Sequence, residues 1–198
     1  MDGLTPLLTA ENLTLVRGGR QLFAGVSLKL VAGQFLLLRG PNGAGKSSLL
    51  LTLAGLLRPA DGTIGPEERA PLHILAHSSA IKTRLTLAEN LAFWRRVNGP
   101  SGLAVEPALE RVGLGGLGTI DAGHLSAGQT RRLALARLLV TDRKIWLLDE
   151  PLAALDDAGA GLLAALAAER IASGGAVIAA THDDIPGATG TLRLGAPA

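Results

Sequence analysis

The chain has 198 residues, 47% hydrophobic and 18% charged, which suits one folded domain, or one with an insertion, and excludes a disordered segment and two independent catalytic domains. It has no cysteine, so disulfides, thiolate catalysis and Cys-ligated metal centres are excluded together. Nineteen Lys plus Arg against 17 Asp plus Glu leave a formal charge of +2, a balance that points to neither nucleic acid nor a membrane surface as partner.

The longest stretch without a charged side chain, Ile171 to His182, has 12 residues, short of the roughly 18 to 20 needed to span a bilayer. The start of the chain shows no basic segment leading into an apolar one, so no secretory leader is expected and the cytoplasm is the default compartment.

In chain order, Leu13 to Val16 and Leu22 to Leu30 are predicted strands around the turn Arg17-Gly18-Gly19-Arg20, and the apolar run Phe35 to Leu38 is a buried strand. A helix is expected from Gly45 to about Leu57, ended by Arg58-Pro59. Leu72 to Ala76 is a further strand. The texture then becomes helical over about 78–140. Thr86 to Glu89 is a capping-box pattern opening a helix toward Val97, and a second helix is expected from about Leu103 to Val112. A helix from Ser126 to Val140, a strand from Lys144 to Asp149, a helix from Asp157 to about Ile171 and a strand from Ala176 to Thr181 follow. Strands alternating with helices predict an α/β fold with a mostly parallel central sheet, preceded by an antiparallel β part and interrupted by a helical insertion within a single domain of 198 residues.

Gly40, Pro41, Asn42, Gly43, Ala44, Gly45, Lys46 and Ser47, with Ser48 next, match G-x-x-x-x-G-K-[ST] between an apolar strand and a helix, the context a phosphate loop requires. Glycines let successive N–H groups turn toward phosphate oxygens, and the helix adds its positive end. Lys46 would reach the β and γ phosphates, and the Ser47 hydroxyl would bind Mg²⁺. A Gly-rich turn capping a helix is the plainer alternative.

Ile145 to Leu148 end in Asp149-Glu150. Asp149 is the candidate second Mg²⁺ ligand, and Glu150 could orient or deprotonate the attacking water; a surface acid pair is the alternative. Together the two motifs imply nucleoside triphosphate hydrolysis. His73, His77 and His124 have no spacing that makes a metal set.

Leu125-Ser126-Ala127-Gly128-Gln129 lies between these motifs and resembles the signature of ATP-binding cassette (ABC) ATPases. Its physics is independently readable: Ser126 is a good N-cap, and its hydroxyl with the N–H groups of Ala127 and Gly128 makes a second anion-binding helix end, or a plain cap. In that family the signature of one subunit closes over nucleotide held by the phosphate loop of another. Carried over, Ser126, Gly128 and Gln129 would complete the partner's site in a head-to-tail homodimer. Ala153-Ala154-Leu155-Asp156 resembles the D-loop, and Thr181-His182 the switch histidine, which would touch the γ phosphate and hold Glu150 and the water. With Lys46, Glu150 and His182 are then the candidate catalytic residues.

Within ABC ATPases, the alanine in the signature, the stretch Ala76 to Trp94 and the short tail after His182 resemble the ATP-binding subunits of cytochrome c maturation, the haem-exporter family. That resemblance implies integral membrane permease partners, indirect peripheral association with the cytoplasmic face of the inner membrane, and ATP hydrolysis driving a conformational step in those partners. The alternatives are a small-molecule ABC importer subunit, a soluble cassette protein of DNA repair or translation, and a non-hydrolytic nucleotide-binding regulator.

Two departures stand out. Ser78 occupies the place where most cassettes carry a glutamine contacting Mg²⁺, and Arg17, in a chain without tyrosine, sits near the expected adenine-stacking aromatic. Arg17 would stack on the base or be a solvated turn residue. Phe93 and Trp94 are expected on different faces of their helix, one in the core and one toward a partner, with Lys82 to Arg96 as the expected permease-docking surface.

Overall fold

The computed structural model describes residues 5–68, 70–76 and 80–195, so His77 and Ser78 lie outside the described residues. The described residues group into two compact units, one drawn from 1–77, 144–151 and 166–198 and the other from 78–143 and 152–165.

The first unit holds both sheets. β1 (Leu8–Arg17) lies between β2 (Arg20–Leu30) and β4 (Asp61–Gly65), all antiparallel. The second sheet has the order β5 (Leu72–Leu75), β6 (Ile145–Asp149), β7 (Ala176–Ala180), β3 (Phe35–Arg39), β8 (Gly190–Arg193). Every neighbouring pair in it is parallel, as the alternation of strands and helices predicts.

β6 and β7 are buried at every position, and Ile145 to Leu148 and Ala176 to Ala180 are unbroken apolar runs rather than alternating ones. α1 (Lys46–Leu53) buries Leu49, Leu50, Thr52 and Leu53 against Leu8, Leu13 and Leu30 of the antiparallel sheet and Leu38, Leu147 and Ile178 of the parallel one. Thr52 is tolerated there because its hydroxyl donates to the Ser48 carbonyl at 2.8 Å.

The strand edges differ from expectation in informative places. β1 starts at Leu8 rather than Leu13, because a register shift between Ala10 and Leu13 accommodates Glu11 and Asn12 as a bulge. β4 and β8 are strands the sequence reading did not contain. α1 ends at Leu53, before the expected Leu57, because Gly55 turns left-handed (φ 76°) and the Leu56 N–H bonds back to the Leu51 carbonyl at 2.9 Å, so the stop is a glycine cap and Pro59 plays no part in it.

The second unit contains α2 (Leu87–Asn98), α3 (Val105–Arg111), α4 (Ala127–Leu139) and the first turns of α5 (Asp157–Ala172). The expected capping box opens α2: Thr86 Oγ1 accepts from the Glu89 N–H at 3.1 Å and Glu89 Oε2 from the Thr86 N–H at 2.8 Å. Asn90, 1% exposed, ties down the preceding turn, donating to the Lys82, Leu85 and Thr86 carbonyls and accepting from the Lys82 N–H.

Phe93 and Trp94 meet edge to face with ring centroids 5.3 Å apart; Phe93 lies under the Lys82 ammonium and Trp94 under the Arg137 guanidinium at 4.2 Å. Burial pulls Arg137 down to about 10, still charged at neutral pH. Among the described residues no helix is long and apolar enough to cross a membrane.

Candidate nucleotide site

The phosphate loop leaves β3 and enters α1 as the sequence predicts. Gly40 lies at φ 158°, and a Cβ there would stand 2.8 Å from the Leu194 carbonyl just past β8, so no side chain fits. The approach is fixed by the Leu194 N–H, which donates to the Arg39 carbonyl at 2.8 Å. Gly45, also at positive φ, is the N-cap of α1, and Ala44 beneath it is fully buried.

Lys46 is 8% exposed, and its ammonium is satisfied within the loop, donating to the Gly40 carbonyl at 2.8 Å and the Pro41 carbonyl at 3.3 Å. It also lies 3.1 Å from His182 Nε2. The same ring nitrogen is 3.0 Å from Asn42 Oδ1. An ammonium only donates and an amide oxygen only accepts, so Nε2 serves one partner at a time, according to which ring nitrogen carries the proton.

Asp149 ends β6 and is 5% exposed. Glu150 follows at φ 44°, a left-handed conformation costly for a side chain with a Cβ, and its N–H donates to the Ala180 carbonyl at the end of β7 at 2.8 Å. Glu150 lines a cleft of about 340 Å³ with Leu22, Asn42, Gly43, Gly45, Lys46, Ser47 and Ser48.

Ser47 is exposed at the start of α1, which packs on β6. A hydroxyl and a carboxylate are both hard oxygen donors, the ligand type that suits Mg²⁺. Arg17 is exposed at the end of β1 and is not among the residues lining the cleft; Leu22 is what the first hairpin contributes there.

The signature residues lie in the second unit. Ser126 caps α4: its Oγ accepts from the Gln129 N–H at 3.2 Å, and Gln129 Oε1 accepts from the Ser126 N–H at 3.0 Å. The Gln129 carbonyl oxygen is therefore spent on the cap, and the exposed Ala127 and half-buried Gly128 supply the first-turn N–H groups outside that box. Gly128 is tightly placed, since a Cβ would be 3.0 Å from the Ala154 carbonyl of the D-loop stretch and that carbonyl would have to give way.

Asp156 Oδ1 accepts from the Gly159 N–H at 2.8 Å and from Arg132 Nη2 at 3.0 Å; the Gly159 bond first, then Arg132, hold this carboxyl below the usual aspartate range. Sequence reasoning missed Arg132, Asn42 as a partner of His182, and Arg39. The first was legible one turn along the signature helix from Gly128, but the other two depend on contacts across strands.

A phosphate loop feeding a buried helix, an Asp-Glu pair ending a parallel strand and a capped signature helix define an ATPase of the ABC class. The profile of the ABC transporter family matches residues 23–153. A relative from Mesorhizobium japonicum, named cytochrome c biogenesis ATP-binding export protein CcmA, is 47% identical over 196 residues, covering 95% of this chain and 98% of its own. One of the same name from Paramagnetospirillum magneticum is 50% identical over 196 residues, covering 91% and 90%.

The fold matches solved ATP-binding cassettes. One is a putative ABC transporter ATP-binding protein from Pyrococcus furiosus, with a TM-score of 0.82, 23% identity, and 94% and 96% of the two chains covered. Another is a dimeric cassette in a post-hydrolysis state bound to ADP and Pi, with a TM-score of 0.77, 23% identity, and 89% and 88% covered. The chain belongs to the ABC transporter family and, within it, to the cytochrome c biogenesis ATP-binding export proteins.

Proposed function

We propose that this chain is the ATP-hydrolysing subunit of a cytochrome c biogenesis export complex, acting as a head-to-tail homodimer beneath integral membrane permease subunits on the cytoplasmic face of the inner membrane. One observation carries the hydrolytic part: Lys46, Asn42 and His182 form one contact network at the loop, and Glu150 lines the same cleft as the loop.

In this reading Gly40 to Ser48 wrap the phosphates with main-chain N–H groups, and Lys46 exchanges its loop carbonyls for β and γ oxygens, a swap of neutral acceptors for charged ones that favours binding. Ser47 and Asp149 would hold Mg²⁺, which when bound neutralises phosphate charge. Glu150, which lines the cleft beside the loop, orients the attacking water and accepts its proton. His182 contacts the γ phosphate through Nε2, the atom that already faces Lys46 and Asn42.

Ser126, Gly128 and Gln129 of the second copy cover the nucleotide, with Asp156 shaping the D-loop beside them. A cassette of the same fold captured as a dimer with ADP and Pi supports this assembly. The turn 82–86, pinned by Asn90, and the half-exposed Phe93 support the stretch from Lys82 to Arg96 as the permease contact. Leu22, rather than Arg17, is the better placed hairpin residue to meet the base.

Glu150→Gln tests the core of the reading. It should bind ATP with parental affinity, lose turnover by on the order of 10²-fold or more, and accumulate as a dimer with ATP in size-exclusion chromatography. Turnover at the parental rate would remove Glu150 from the mechanism.

A further inference from the structure

We infer that Arg39, the last residue of β3, is a positioning residue that holds His182 in its working place. This rests on the reading of His182 just given. β3 and β7 are adjacent and parallel, with Leu38 opposite Ala180, so the Arg39 side chain starts level with the residues that follow β7. Its guanidinium donates through Nη1 to the His182 carbonyl and through Nη2 to the Asp183 carbonyl at 2.8 Å, and it also meets Asp184 Oδ1.

The partners are unequal. The Asp184 side chain is 99% exposed against 18% for Arg39, so that ion pair is solvent-screened and contributes little. The two successive carbonyls are what the planar fork of an arginine matches and a lysine ammonium does not. The Asp183 N–H also donates to Thr181 Oγ1 at 3.1 Å, a local turn that orients Asp183 beside the Arg39 fork.

Holding that carbonyl restrains the main chain that carries the His182 ring, and so favours the 3.1 Å and 3.0 Å approaches of Nε2 to Lys46 and Asn42. Arg39 also precedes Gly40 directly, so a single residue joins the start of the phosphate loop to the histidine that reads it.

The test uses the full-length chain and four variants, Arg39→Ala, Arg39→Lys, Asp184→Asn and His182→Ala. Steady-state ATP hydrolysis, thermal unfolding without nucleotide, and NMR of ¹⁵N-histidine-labelled protein are compared. The chain has four histidines, and His182→Ala assigns the signal of interest.

Arg39→Ala should lower kcat by roughly 10- to 100-fold with KM and Tm near parental, as a misplaced catalytic group does. The His182 ring signals should shift in Arg39→Ala while those of His73 and His124 stay. Arg39→Lys should recover part of the loss, and Asp184→Asn should lose least. Parental kcat in Arg39→Ala, or unmoved His182 signals with kcat falling only as Tm falls, would overturn the inference. The two ideas separate cleanly: an active His182→Ala removes the role of His182 itself, whereas an inactive His182→Ala beside an active Arg39→Ala removes only that of Arg39.

Discussion

The phosphate loop and the signature terminus both present main-chain N–H groups at the start of a helix, yet they are built by opposite means. At α1 the turn itself is the device: Gly40 is packed against the Leu194 carbonyl, and a nearly buried Lys46 brings a full charge to the loop. At α4 the helix start is satisfied by its own side chains, Ser126 and Gln129 each accepting from the other's main chain, so what it offers outward is a hydroxyl and a helix dipole. Charge binds an anion from solution. A dipole of this size, of the order of 1 kcal/mol or less when exposed, does not, and it becomes useful where an anion is already held. In the proposed dimer the first region therefore captures nucleotide and the second recognises that it has been captured.

The largest expected effects break that division of labour. Lys46→Ala should lose turnover by on the order of 10²-fold or more through weakened nucleotide binding. Ser126→Asp should lose a similar factor with binding and Tm retained, because aspartate caps a helix as well as serine but places a negative charge against the nucleotide. Mixed in equal amounts, the two inactive variants form heterodimers in which one site carries both defects and the other none, so activity should return to about a quarter of parental under a cyclic pairing rule. If mixed dimers form, as seen by differential tagging, and no activity returns, the sharing of sites between copies is wrong.

A smaller effect is expected at the loop's foundation. Gly40→Ala should destabilise the chain by about 1–3 kcal/mol and weaken nucleotide binding, because the side chain meets a main-chain carbonyl. Parental unfolding in denaturant would show that the loop tolerates a Cβ there.

The smallest effect sharpens the signature side. Arg132→Ala should lower Tm slightly near neutral pH by removing one of the two bonds to Asp156. The folded Asp156 carboxyl titrates below its ordinary value of about 3.9, so its contribution is present above that pH and disappears as pH falls through the folded value. The gap in Tm between parent and variant should therefore close as the pH falls below about 4. A gap independent of pH would mean that Arg132 acts through packing alone.

Legibility followed the kind of signal each element carries. β3, β6 and β7 are apolar runs buried on both faces, and they stand within a residue of where the pattern places them. β4 reads as a turn because Asp61, Gly62 and Gly65 dominate it, and it becomes a strand only by pairing with the polar half of β1, Thr9 opposite Gly65 and Glu11 opposite Thr63. β8 is four residues with alternating exposure, too short for a pattern, and it exists because β3 offers it an edge. At the site, Lys46, Asp149 and Glu150 were nameable from their motifs and His182 from the family resemblance, while nothing in the local pattern singles out Arg39.

By itself the amino-acid sequence determined the local chemistry: which segments are apolar enough to be central strands, where glycines permit a phosphate loop, and which residues cap α2 and α4. These depend on neighbours within a few positions, and side-chain type decides them. Tertiary structure alone decided which distant groups share a proton or a carbonyl. Nε2 of His182 faces both Lys46 and Asn42, and the His182 main chain is held by Arg39, because parallel β3 and β7 bring residues about 140 positions apart to the same end of one sheet.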